Sequence, residues 1–130
     1  MHKPTESELQ ILRVLWRVGA SHVKTVNAEL SAEQQREIGY TTTLKMLQIM
    51  FDKGLVTRVK EGRGHLYAPA VDQRETRGKL LDRMVHSLFG GSASQLVMQA
   101  LGKGETSAEE LREIKALIER MERENDGKDE

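Results

Sequence analysis

At 130 residues, with 31% charged and only 4% aromatic side chains, the chain is long enough for a real core, which must be built from Leu, Ile, Val and Met. That balance favours helices. It has no cysteine, which excludes disulfides, thiolate metal sites and thiol nucleophiles. It also lacks an apolar run of membrane-spanning length and a signal peptide before Thr5, so a cytoplasmic protein is expected. The formal net charge of zero hides a division. Residues 1–70 carry ten Lys/Arg against seven Asp/Glu, a balance of +3, and residues 71–130 carry ten against thirteen, a balance of −3. A field of that size does not by itself mark a nucleic-acid binder, because contacts depend on where charges cluster.

Thr5 and Glu8 have capping-box spacing, and Leu9, Leu12, Leu15 and Trp16 follow at helical spacing, so a first helix is expected to run to Gly19. Val23, Val26 and Leu30 share one face of a short second helix, which the polar run Ser31 to Glu37 is expected to close. A third helix spans about Tyr40 to Lys53. At 100° per residue, Thr43, Met46, Leu47 and Met50 form its apolar face, with Leu44 and Phe51 at the edge. Thr41, Lys45, Gln48 and Asp52 lie opposite, with Thr42 beside them. Gly54 is placed to stop this helix in a left-handed conformation. Leu55 to Lys60 reads as a strand, Glu61-Gly62-Arg63-Gly64 as a turn, and His65 to Ala68 as the returning strand.

Beyond Val71 only helical patterns remain. Leu80, Leu81, Met84, Val85 and Leu88 form one stripe, ended by Gly90-Gly91. Ser92 and Gln95 are placed to cap a helix carrying Leu96, Val97, Ala100 and Leu101. A last helix begins near Thr106, with Glu109 in capping-box position. It carries Leu111, Ile114, Leu117, Ile118 and Met121 before a charged tail, Glu122 to Glu130, expected to fray.

A helix, helix, helix, hairpin order is that of a winged helix-turn-helix, in which the start of the third helix enters the DNA major groove. Three consecutive threonines there have a chemical use. A hydroxyl in a first turn can reach a phosphate or a base edge, and the methyl can meet a thymine methyl. Candidate DNA-contacting residues are therefore Tyr40, Thr41, Thr42, Lys45 and Gln48 on the helix, with Arg58, Lys60 and Arg63 on the wing. Thr43 is assigned to packing through its methyl. Ile49 lies near the polar face and can either touch a thymine methyl or pack on a neighbouring chain. The stripes of Leu80, Met84, Leu88, Leu96, Leu111, Ile114, Leu117, Ile118 and Met121 are too apolar for a free surface and are assigned to dimerisation. The fold expected is mainly α (α+β), with a DNA-binding domain at 1–70 and a helical dimerisation region at 71–130.

The alternative is a winged-helix protein-interaction module without DNA activity, which a hydrophobic or acidic recognition face would favour; only Ile49 and Asp52 lean that way. His2, His22, His65 and His86 are scattered without metal-ligand spacing, so neither a metal site nor a cofactor is expected. No catalytic arrangement stands out, so an enzyme is not expected. Met46, Met50, Met84, Met98 and Met121 sit at core spacing and read as filler.

The segments "TESELQILRVLW", "GYTTTLKMLQ", "KGLVTR" and "GRGHLYAP", continuing through "LLDRMVHSLFGGS", resemble the penicillinase-repressor family of the BlaI/MecI/CopY type over nearly the whole chain. The resemblance implies a dimeric bacterial repressor with an N-terminal winged helix and a helical dimerisation part; two winged helices paired in this way would meet a palindromic operator in double-stranded DNA. In the resistance repressors a membrane-bound sensor metalloprotease cuts an Asn-Phe bond in the dimerisation region. The matching positions here are Gln99 and Ala100, a departure that argues against cleavage at that bond. The copper-responsive branch holds metal with C-terminal cysteines, and this chain has none. Where the family often has Arg on the recognition helix, this chain has Ile49.

Overall fold

The computed structural model describes residues 3–128; His2 and the last two residues of the charged tail lie outside them. Six helices and three short strands follow in the order α1 (Glu6–Val18), β1 (Ser21–His22), α2 (Val23–Gln34), α3 (Tyr40–Asp52), β2 (Val56–Glu61), β3 (Gly64–Pro69), α4 (Gln73–Phe89), α5 (Ala93–Gly102) and α6 (Ala108–Lys128). The chain divides into two compact units between Lys79 and Leu80, inside α4.

The first unit is a winged helix-turn-helix. α1 begins at the capping box, with the Thr5 hydroxyl accepting from the Glu8 amide at 3.2 Å and the Thr5 amide donating to Glu8 Oε1 at 2.8 Å. Ile11, Leu12, Val14 and Leu15 of α1 are buried against Val23, Val26 and Leu30 of α2 and Leu47 and Met50 of α3. Each such side chain contributes about 1.5–3 kcal/mol by leaving water. Leu9 and Trp16, expected in the apolar spacing of α1 with Leu12 and Leu15, sit at the margin of the core. The Trp16 indole instead donates to the Val71 carbonyl at 3.0 Å, fixing the chain beyond the sheet to α1.

Two features of this unit differ from expectation. α2 continues through Ser31 to Gln34 and ends at Gln35 in a left-handed conformation, φ 53°. Ala32, Glu33 and Gln34 are good helix formers, and the polarity of the run Ser31 to Glu37 as a whole, not its propensity, suggested a close. The hairpin also gains a third strand, since β1 pairs antiparallel with β3 through Ser21↔Tyr67 and His22↔Leu66, giving the order β1-β3-β2. That pairing encloses Tyr67, which is buried in the core.

α3 ends in a Schellman motif. The Leu55 amide bonds to the Met50 carbonyl at 2.9 Å and the Gly54 amide to the Phe51 carbonyl at 3.0 Å. Gly54 has φ 80°, which a side chain disfavours, and Leu55 and Met50 are both buried as the motif requires. The residue before this glycine supplies a tertiary lock. Lys53 Nζ lies 2.9 and 3.0 Å from the two carboxylate oxygens of Glu8, whose residue is only 2% exposed. The capping-box glutamate of α1 thus holds the C-terminal end of α3.

Burial alone would raise the Glu8 pKa, but the Thr5 amide and Lys53 outweigh it and hold the carboxyl below its ordinary value of 4.5. A carboxylate with a depressed folded pKa gives stability that is present above the unfolded value and is lost as pH falls through the folded one. Lys53→Met should therefore cost about 2–3 kcal/mol at neutral pH by stranding a buried carboxylate whose site is only partly open to water. Urea unfolding at pH 7 and at acid pH checks this: the advantage of the wild type over the variant should shrink as Glu8 becomes protonated. An equal gap at both would sink the assignment.

In the second unit no described side chain is buried. Ser92 caps α5 by accepting from the Gln95 amide at 3.2 Å. The capping box of α6 is Ser107 with Glu110, each accepting from the other's amide at 3.1 Å, one residue beyond the Thr106 and Glu109 expected. The tail expected to fray continues as helix to Lys128. Met50 is buried and Met46 packs on the core as filler, whereas Met84, Met98 and Met121 are exposed within the single chain.

Candidate nucleic-acid interface

The face of α3 opposite its core contacts carries the candidate site. Thr43, Leu47 and Met50 are buried, while Tyr40, Thr41, Thr42, Lys45, Gln48, Ile49 and Asp52 are exposed. The period of 3.6 residues produces this split directly. The three threonines have two different uses. Thr41 and Thr42 present their side chains to solvent, and Thr43 is fully buried. Its hydroxyl accepts from Asn27 Nδ2 at 2.8 Å, and the same amide nitrogen donates to the Ile38 carbonyl at 2.8 Å. Thr43 therefore contributes more than the methyl assigned to it. Asn27 ties the start of α3 to α2.

Gly39 caps α3 with no side-chain hydrogen bond, so the amides of its first turn lie beside Thr41 and Thr42 without a side-chain acceptor. In the turn between α2 and α3, exposed Arg36 lines a shallow groove together with Ser7, Gln10 and Thr42. Sequence reasoning missed both Arg36 and Asn27. A lone Arg or Asn in a polar run carries no periodic signal, although their place just before and within the helix pair could have flagged them.

The hairpin supplies the second part. β2 and β3 pair in register from Val56↔Pro69 to Glu61↔Gly64, leaving Gly62 and Arg63 as a two-residue loop. Gly62 has φ 63° while Arg63 has a negative φ, the arrangement of a type II′ turn, with glycine at its first central position. Arg63 is exposed at the tip and Lys60 near it. Neither they nor Lys45 makes an ion pair among the described residues. Arg58 differs: its guanidinium carbon lies 4.0 Å from the centre of the Phe51 ring, and it is partly buried. The stacking joins β2 to the end of α3 and commits part of the Arg58 side chain to the fold. His65 faces Lys60 across the strands, and its ring lies 6.2 Å from that of Tyr67.

In the second unit, Met84, Leu88, Leu111, Leu117, Ile118 and Met121 are all exposed, with Leu80, Leu96 and Ile114 partly so. Gln99 and Ala100 are exposed and lie within α5. Among the described residues no cluster of His, Asp or Glu could hold a metal ion, and no helix is long and apolar enough to cross a membrane.

The fold and its site can be set against known proteins. The chain is 25% identical over 115 residues to the penicillinase repressor of Bacillus licheniformis, covering 88% of each. It is 30% identical over 115 residues to the transcriptional regulator BlaI of Mycobacterium tuberculosis, covering 86% of this chain and 82% of the regulator. Its fold matches that of RosR from H. salinarum with a TM-score of 0.52 at 19% identity, over 89% of this chain and 91% of that one. The model of the penicillinase repressor family matches residues 4–120, nearly all of the chain, and the chain belongs to that family.

Proposed function

We propose that the chain is a DNA-binding transcriptional repressor that acts as a homodimer on a palindromic operator. The observation that carries this reading is the exposed face of α3, where Thr41, Thr42, Lys45 and Gln48 stand together. These are side chains that hydrogen-bond base edges and phosphates, and the arginine at the wing tip extends the same surface. Family membership supports a repressor, and the uncovered stripes of the second unit support pairing of two chains. Such a protein works where the DNA is, in the bacterial cytoplasm. Selection of binding sites from random double-stranded DNA tests the reading. An inverted repeat with half-sites one helical turn, about 34–36 Å, or a multiple apart is expected. Enrichment of no sequence would overturn it.

Release by a sensor metalloprotease cutting at Gln99-Ala100 has two obstacles. The bond lacks the Asn and Phe side chains of the resistance repressors, and it lies inside α5, where a protease would first have to unwind the helix into an extended strand. We expect the chain to remain intact at this bond, with release set by another cut or another signal. Co-expression with the membrane protease encoded nearest its gene, followed by mass spectrometry, checks this; a fragment ending at Gln99 would refute it.

A further inference from the structure

Ile49 is the one large aliphatic side chain on the outward face of α3. It is 38% exposed and is absent from the hydrophobic residues packed on the core, whereas Leu44, Met46 and Phe51 of the same helix do pack there. Its neighbours on the helical surface are Lys45, one turn before it, and Thr42, two turns before it, both exposed. Among the groups a base pair presents in the major groove, only the C5 methyl of thymine is apolar. An isoleucine that follows a threonine and a lysine along the exposed face of a groove-facing helix has that methyl as its natural counterpart.

We propose that Ile49 is a specificity-determining residue that selects thymine at one operator position through its C5 methyl. The proposal rests on the DNA-binding reading above. Packing of Ile49 on a second copy of this chain is the alternative, and the test below separates the two. Asp52, three residues on, is exposed on the same side and offers no contact to a phosphate.

The test starts from an operator selected with the wild-type protein. Each thymine of a half-site is replaced in turn by deoxyuridine, which removes only the methyl, and binding of wild type, Ile49→Val and Ile49→Ala is followed by fluorescence anisotropy. At one position the loss of the methyl should weaken wild type about fourfold. Ile49→Ala should bind the unmodified operator weaker by a similar factor and be indifferent to uracil at that position alone, while Ile49→Val keeps most of the sensitivity. Ile49 is exposed, so the variants should melt like wild type. If no thymine loses its methyl dependence in Ile49→Ala while binding persists, this proposal falls and the DNA-binding reading stands. A weakened dimer in sedimentation of Ile49→Ala also overturns it, in favour of chain packing. Failure of wild type to select any DNA overturns both.

Discussion

Replacing Lys45 and Arg63 together with alanine should weaken operator binding about 10- to 100-fold near 0.1 M salt and flatten its salt dependence. Both side chains are exposed and neither is ion-paired among the described residues, so each is available to neutralise a phosphate. Each phosphate contact adds about −0.9 to the slope of log affinity against log salt, so losing two should reduce the slope by about 1.8. Thr41→Ala or Thr42→Ala should act differently, because a lost base-edge contact changes which base is preferred more than it changes the slope. Lys53 is the internal control for charge. It is already bonded to both oxygens of Glu8, so its loss should lower stability while leaving the slope of the folded protein unchanged. Anisotropy titrations from 50 to 200 mM salt separate these cases. An unchanged affinity and slope in the double variant would show that the DNA surface lies elsewhere.

Much of this surface was legible in the sequence because a helix imposes its period on both of its faces. The run that buries Thr43, Leu47 and Met50 forces Thr41, Lys45 and Gln48 outward. Gly54 and Gly62 marked the helix stop and the turn because both need positive φ. The parts that were missed share another character, in that they depend on contacts distant in the chain. Two residues, Ser21 and His22, are too few to show an alternating pattern, and they form a strand only because β3 offers an edge. Glu8 reads locally as a cap, while its bond to Lys53 spans the domain. For α6 the sequence contains two overlapping capping frames, Thr106 with Glu109 and Ser107 with Glu110; propensity cannot choose between them, and the hydrogen bonds select the second. The apolar stripes of the second unit were equally legible. What covers them is not, since none of their residues is buried within one chain.

That uncovered surface sets the other large effect expected. Leu117→Glu combined with Ile118→Ser should convert a dimer into monomers and reduce affinity for the full operator by about 10²- to 10⁴-fold, while binding to a single half-site changes little. Leu117 and Ile118 are 45% and 48% exposed on a helix of 21 residues, about 32 Å long at 1.5 Å per residue. A free amphipathic helix of that length would leave its stripe in water, which monomeric proteins avoid over such an area. Joining two heads makes the second binding event intramolecular, so breaking the interface removes the effective concentration without touching any DNA contact. The fold of the first unit should not suffer, because its core lies wholly within residues 9–71 and the Glu8 lock. Sedimentation equilibrium at micromolar protein, with titrations on full and half operators, separates loss of assembly from loss of recognition. A wild type that is already monomeric at that concentration, or a variant that stays dimeric, would remove the stripe from the interface.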